Sequence, residues 1–149
     1  MPGAGFAAGP CLFKDTAQLA AFNNNNFTLG HASMMINEGL PLYVVARMET
    51  TIDLASSTVG ILGMAFKGES DDTRSSLSYK LKRILRFKAN DVITTDPYVK
   101  TDPDLVSLEE VLERSDVLVI AAPHKVYKSL APEQPIVDIW NLLGKGVRV

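Results

Sequence analysis

From residue 58 onward the chain alternates short apolar runs with segments of helical spacing, and this alternation constrains the fold more than any other feature. "TVGILGMAF", "DVITTDP", "DVLVIAAP" and "PIVDIWN" have the length and β-branched content of buried strands. Between them, "SSLSYKLKRILRF" is an amphipathic helix and "SLEEVLERS" a helix with a capping-box start, Ser107 being followed three residues later by Glu110. "KVYKSL" reads as a third, short helix. Strands that take turns with helices build a parallel sheet with crossover helices. The fold class expected is therefore α/β, a small Rossmann-like parallel sheet with flanking helices over residues 58–149, with one more short strand possible in "LLGKGVRV".

Residues 1–57 have a different grammar. The first fifteen are rich in Gly, Ala and Pro and then polar, which suits a loop. A helix is expected from Thr16, with Asp15 or Thr16 as its cap and the asparagine run 23–26 as its end. A second helix is expected over 28–48, kinked or broken at Pro41. It carries more apolar surface than a lone helix can hide, so it must dock on this chain or on a partner.

Composition narrows the function. Fifteen Lys and Arg against seventeen Asp and Glu leave a net charge of -2, which supplies no broad basic surface for nucleic acid. No apolar run has the roughly 18 to 20 residues of a membrane span, and the N-terminus lacks a basic stretch followed by an apolar one, so a cytoplasmic protein is expected. One cysteine and two distant histidines, His31 and His124, argue against a disulfide or a structural metal.

Several residues could carry chemistry, each beside a plainer role. Gly3, Gly5 and Ala8 have the spacing of a dinucleotide fingerprint, but no strand precedes them and Pro10 obstructs a helix starting at Gly5. Gly60 and Gly63 could admit a nucleotide or merely let strand and helix pack closely. Asp71 and Asp72 precede a helix and read first as caps, whereas Lys67 and Arg74 at a strand end are suited to phosphate. His124 could be catalytic or a loop contact, His31 reads as structural, and Trp140 as core or pocket wall. Cys11 could be a small buried apolar residue or a nucleophile, with a cation, Lys14, and a base, Asp15, close behind it.

Two motifs together shift that balance. "GFAAGPCLFKD" resembles the active-site loop of the UDP-glucose/GDP-mannose dehydrogenase family, and "GILGMAFKGESDDTRSS" resembles the first strand and loop of that family's C-terminal nucleotide-sugar domain. "TDPYV", "APHKVY" and "DIWN" match in the expected order. The resemblance implies that residues 1–57 are the end of a central helical dimerisation region and 58–149 the nucleotide-sugar-binding domain. It also implies that the N-terminal NAD-binding domain lies outside this sequence.

What the resemblance implies chemically is an NAD-dependent, two-step oxidation of a nucleotide-sugar C6 alcohol to a carboxylate, UDP-glucose-type, with a UDP-sugar or GDP-sugar as substrate. Cys11 matches the nucleophile that forms a thiohemiacetal and then a thioester, and Asp15 the carboxylate that assists hydrolysis. Lys14 and Arg74 match residues near the NAD cofactor. Gly5, Phe6, Ala7, Ala8 and Gly9 match the loop along the sugar, with Phe66 and Lys67 contacting the nucleotide. The family loop usually reads Gly-Phe-Gly-Gly-Ser-Cys, so this one is a residue longer, while the spacing from Cys11 to Asp15 is kept. The expected partners are a second copy of the chain, as a homodimer, and the NAD domain, without which the chain is expected to be inactive. The alternative is a non-catalytic nucleotide-binding or dimerisation module.

Overall fold

The computed structural model describes residues 4–144. Four strands form one parallel sheet in the order β2-β1-β3-β4: β1 (Thr58–Leu62), β2 (Asp91–Thr95), β3 (Val117–Ile120) and β4 (Ile136–Asp138). The chain steps from β1 out to β2 and back across to β3, which puts the topological switch point at the carboxyl ends of β1 and β3, where open α/β sheets gather their ligands. The expected α/β class and all four strands are as the apolar runs require. Residues 145–149, where a further strand was expected, lie outside the described residues, as does Gly3.

Both faces of the sheet are covered, and strand alternation assigns the layers. Val59, Ile61, Val92, Val117 and Val119 point into one cluster with Leu77, Leu81 and Leu85 of α3 (Leu77–Leu85) and with Val44, Val45 and Met48 of α2 (Thr28–Met48). Leu62, Ile93, Leu118 and Ile120 point into the other, with Val111 of α4 (Leu108–Arg114) and Tyr127 of a 3-10 turn (Lys125–Ser129). Gly60 faces α4, where a Cβ would collide with Val111 and Ser115. Gly63, at φ +97°, lies with its would-be Cβ 2.7 Å from the Ala122 nitrogen. Of the two roles open to these glycines, the structure gives them close packing.

The helices begin where their caps dictate. Ser76 accepts from the Ser78 amide at the start of α3, and Ser107 accepts from the Glu110 amide at the start of α4. Asp71 and Asp72 therefore do not cap α3, contrary to the reading from their position, because the chain turns through Ser75 (φ +55°) before the helix begins.

The N-terminal segment also departs from expectation. α1 spans Leu12–Phe22, so residues 12–15 are helical and Cys11 is the N-cap, without a side-chain cap bond. Pro10 lacks an amide donor and so is readily accommodated immediately before a first turn. α2 runs unbroken through Pro41, whose ring is buried. Its C-terminal half joins the core, whereas Leu29, Met35 and Ile36 in its N-terminal half stay exposed. The C-terminal half thus docks on the sheet, while the N-terminal half meets α1 and the 5–9 loop and leaves part of its apolar surface uncovered. His31 is exposed on α2 and holds nothing together, which corrects its structural reading. Among the described residues no helix is long and apolar enough to cross a membrane, and no group of three His, Cys, Asp or Glu side chains could hold a metal.

Candidate functional site

The early start of α1 organises the first part of the site. Because Cys11 opens the helix, the Asp15 amide donates to the Cys11 carbonyl at 2.8 Å, and the two residues stand one turn apart. Lys14 Nζ lies 3.4 Å from Asp15 Oδ1, and this cation and carboxylate are both mostly exposed beside the exposed thiol. The sequence reading related these three groups within a loop; the structure places Lys14 and Asp15 on the first turn of α1 instead.

The preceding loop is closely packed. Gly5 (φ +128°) and Gly9 (φ +123°) occupy conformations that side chains resist. A Cβ at Gly5 would run into the Trp140 ring, and one at Gly9 would come within 3.2 Å of the Phe66 ring. Phe6 is buried in the core, so it anchors the loop through its side chain and can offer only backbone outward. Asn37 of α2 fixes the next residue from both sides, its Oδ1 accepting from the Ala7 amide at 2.9 Å and its Nδ2 donating to the Ala7 carbonyl. Ala7, Ala8 and Gly9 border a cavity of about 260 Å³ completed by Phe13, Met34 and Ser75.

The second part of the site comes from the β1–α3 loop. Phe66 is half-buried, Lys67 is exposed, and Lys67 Nζ stands 5.4 Å from the Phe66 ring centroid. Arg74 clasps Asp72 with Nε and Nη2, at 2.7 Å for the closest pair, and its own amide donates to the same carboxylate. These bonds from the Arg74 side chain hold the Asp72 carboxyl down to about 2. In return, Arg74 is raised, first by its side-chain bonds to Asp72 and then by that residue's charge, with a smaller contribution from Cys11.

Behind this loop lies a buried polar cluster. Asp96, following β2, accepts at Oδ2 from the amides of Met64 (2.7 Å) and Ala65 (3.0 Å), and at Oδ1 from those of Tyr98 and Val99. His124, following β3 and fully buried, lies with Nε2 3.1 Å from Asp96 Oδ2 and accepts the Glu69 amide at Nδ1 at 3.0 Å. That acceptor role fixes the tautomer: Nδ1 is bare and Nε2–H donates to Asp96. Burial pushes the Asp96 carboxyl up, but the His124 bond and the amide donors outweigh it and hold the group well below the usual carboxylate range. Of the two roles open to His124, the structure gives it the loop contact. Of the two roles open to Trp140, the structure gives it core packing: its ring lies against Gly5 and both core clusters, and its Nε1–H donates to the Ala121 carbonyl at 2.9 Å.

The structure thus brings together Gly9 and Phe66, Arg74 and Asp72, and Lys14 and Asp15 one turn after Cys11. It turns the Phe6 side chain away from the others. Asn37 was not singled out from sequence, and its only signal there was an amide side chain next to the apolar stretch of α2.

Residues 60–145 match the family model described as "UDP-glucose/GDP-mannose dehydrogenase family, UDP binding domain". The UDP-N-acetyl-D-mannosamine dehydrogenase of Pyrococcus horikoshii is 34% identical over 152 residues, covering 99% of this chain and 34% of that protein. Among solved structures, UDP-D-ManNAc dehydrogenase from Pyrococcus horikoshii superposes with a TM-score of 0.82 at 32% identity, covering 99% of this chain and 38% of that one. A UDP-glucose dehydrogenase from the archaeon Pyrobaculum islandicum does so with a TM-score of 0.82 at 25% identity, covering 97% and 37%. The chain spans about a third of the length of the curated relatives it matches. With its fold, its ordered motifs and the matched domain in agreement, the chain belongs to the UDP-glucose/GDP-mannose dehydrogenase family.

Proposed function

We propose that this chain is the nucleotide-sugar-binding and cysteine-bearing part of an NAD-dependent UDP-sugar 6-dehydrogenase. The observation that carries this reading is the meeting of two distant loops. Gly9 lies against Phe66, and Ala7, Ala8 and Gly9 border one cavity with Ser75, so the loop that leads to Cys11 meets the loop that carries Phe66, Lys67 and Arg74. A nucleotide sugar lying along both loops would offer its base to Phe66, its diphosphate to Lys67 and its hexose to the Gly5–Gly9 backbone.

In the proposed chemistry the Cys11 sulfur adds to the C6 aldehyde of the half-oxidised sugar to give a thiohemiacetal. Loss of hydride from that carbon leaves a thioester, and water then cleaves the C–S bond, giving the carboxylate and the free thiol. Asp15, one turn from Cys11, takes the proton of the attacking water. Small residues before Cys11 let the sugar carbon approach the sulfur. NAD, when bound, supplies hydride acceptance, and the exposed Lys14 and Arg74 fit a phosphate-bearing cofactor. The remainder of the cofactor site belongs to a domain outside this sequence, so the chain alone is expected to be inactive.

For the sugar, N-acetyl-D-mannosamine has the support of the relatives' names, whereas UDP-glucose matches one solved structure. Mixing the chain with the N-terminal two thirds of a relative, NAD and either UDP-sugar tests both points. Expected is NADH formation, faster with UDP-N-acetyl-D-mannosamine and abolished by Cys11→Ser. UDP binding without any turnover in the mixture would favour a non-catalytic nucleotide-binding module, and turnover by the chain alone would contradict the division of labour.

A further inference from the structure

We infer that His124 is a positioning residue that sets the shape of the nucleotide loop through its two ring nitrogens, an inference resting on the nucleotide-contact reading of Phe66 and Lys67. The loop 64–69 is held at both ends, and in its middle the Phe66 amide donates to the Asp72 carbonyl at 2.9 Å. At its start, Asp96 Oδ2 accepts the Met64 and Ala65 amides. At its end, His124 Nδ1 accepts the Glu69 amide, with Gly68 packed so closely that a Cβ would stand 2.6 Å from the Pro123 carbonyl oxygen. The two anchors are themselves joined, since His124 Nε2–H donates to the same Asp96 oxygen.

An outer latch reinforces the second anchor. Glu69, at φ +55°, accepts from the Lys125 amide at 2.8 Å and from the Tyr98 hydroxyl at 3.1 Å. Tyr98 also lies against the imidazole, with ring centroids 5.0 Å apart. Loops from β1, β2 and β3 are therefore tied into one unit, which carries the half-buried Phe66 and the exposed Lys67. A loop fixed before the ligand arrives loses less entropy on binding, and affinity rises accordingly.

The two nitrogens can be separated by substitution in the full chain. Asn places an amide oxygen near Nδ1 and keeps the acceptor for Glu69, whereas Gln places a donor near Nε2 and keeps the bond to Asp96. UDP affinity by calorimetry, Glu69 amide exchange and melting temperature are measured for His124→Asn and His124→Gln. With similar melting temperatures, His124→Asn is expected to bind UDP within about threefold of the unsubstituted chain. His124→Gln is expected to bind about tenfold more weakly, with Glu69 exchange about tenfold faster. Equal losses in both variants, or unchanged Glu69 exchange in His124→Gln, would overturn the inference. If neither variant folds, Tyr98→Phe removes one latch bond at an exposed ring, and a weakening of about two- to tenfold is expected; unchanged affinity there overturns the inference. No UDP binding by the unsubstituted chain would instead overturn the nucleotide-contact reading, and with it the role given to His124.

Discussion

Asp96 carries more of the site's architecture than any other single side chain, because one carboxylate gathers four amides and an imidazole at the carboxyl edge of the sheet. Asp96→Asn keeps the shape but turns an NH₂ group toward N–H donors, so a loss of about 2–3 kcal/mol in unfolding free energy is expected, read by urea titration. The pH dependence follows from the direction of the shift. The unfolded chain binds the Asp96 proton near the ordinary value of about 3.9, whereas the folded chain binds it only at lower pH. The stabilisation is therefore complete above about pH 4 and fades as pH falls toward the folded value. Asp96→Asn should destabilise the chain at pH 7 and flatten the acid limb of its stability curve; an unchanged acid limb would point to other carboxylates. At Gly5, φ +128° and the Trp140 ring both oppose a side chain. Gly5→Ala is expected to cost about 1–3 kcal/mol and lower the melting temperature.

Among the elements, α2 is divided between two roles. Val44, Val45 and Met48 are buried against the sheet, while Leu29, Ile36 and Tyr43 are exposed by 77%, 69% and 51% at seven-residue spacing. That spacing sets an apolar stripe along one side of the helix, where a second copy of α2 could cover it. In the proposed homodimer Ile36→Glu is expected to shift the chain to monomers at micromolar concentration, measured by sedimentation velocity. Identical sedimentation of the two proteins would remove α2 from the interface. The same elements explain what the sequence made legible. β1, β2, β3, α3 and α4 were readable because apolar period and turn residues agreed there, with the Ser107 cap adding to α4. The start of α1 was not, because Cys11 provides no side-chain cap and the residues before it are Gly, Ala and Pro. Asp72 resembled a cap by position, yet its partner is Arg74 two residues on, a choice set by how the loop turns before Ser76.

In the whole molecule, function depends on contacts between segments that are remote in sequence. Cys11, Lys67 and Arg74 could be picked out one at a time from residue type and motif, but the loop before Cys11 meets the loop carrying Lys67 and Arg74 only once α2 and the sheet have packed. Asn37 illustrates the limit, since its partner is the backbone of Ala7, thirty residues away, and no local pattern announces that pairing. The same packing leaves Phe66 and Lys67 projecting from a braced loop at the carboxyl edge of β1, and UDP recognition there is the central claim. Calorimetric titration of the chain with UDP tests it most directly. One saturable site is expected, weakened about tenfold or more in Lys67→Ala through loss of a charge-assisted phosphate contact. Absence of binding at millimolar UDP, or equal affinity in Lys67→Ala, would contradict it.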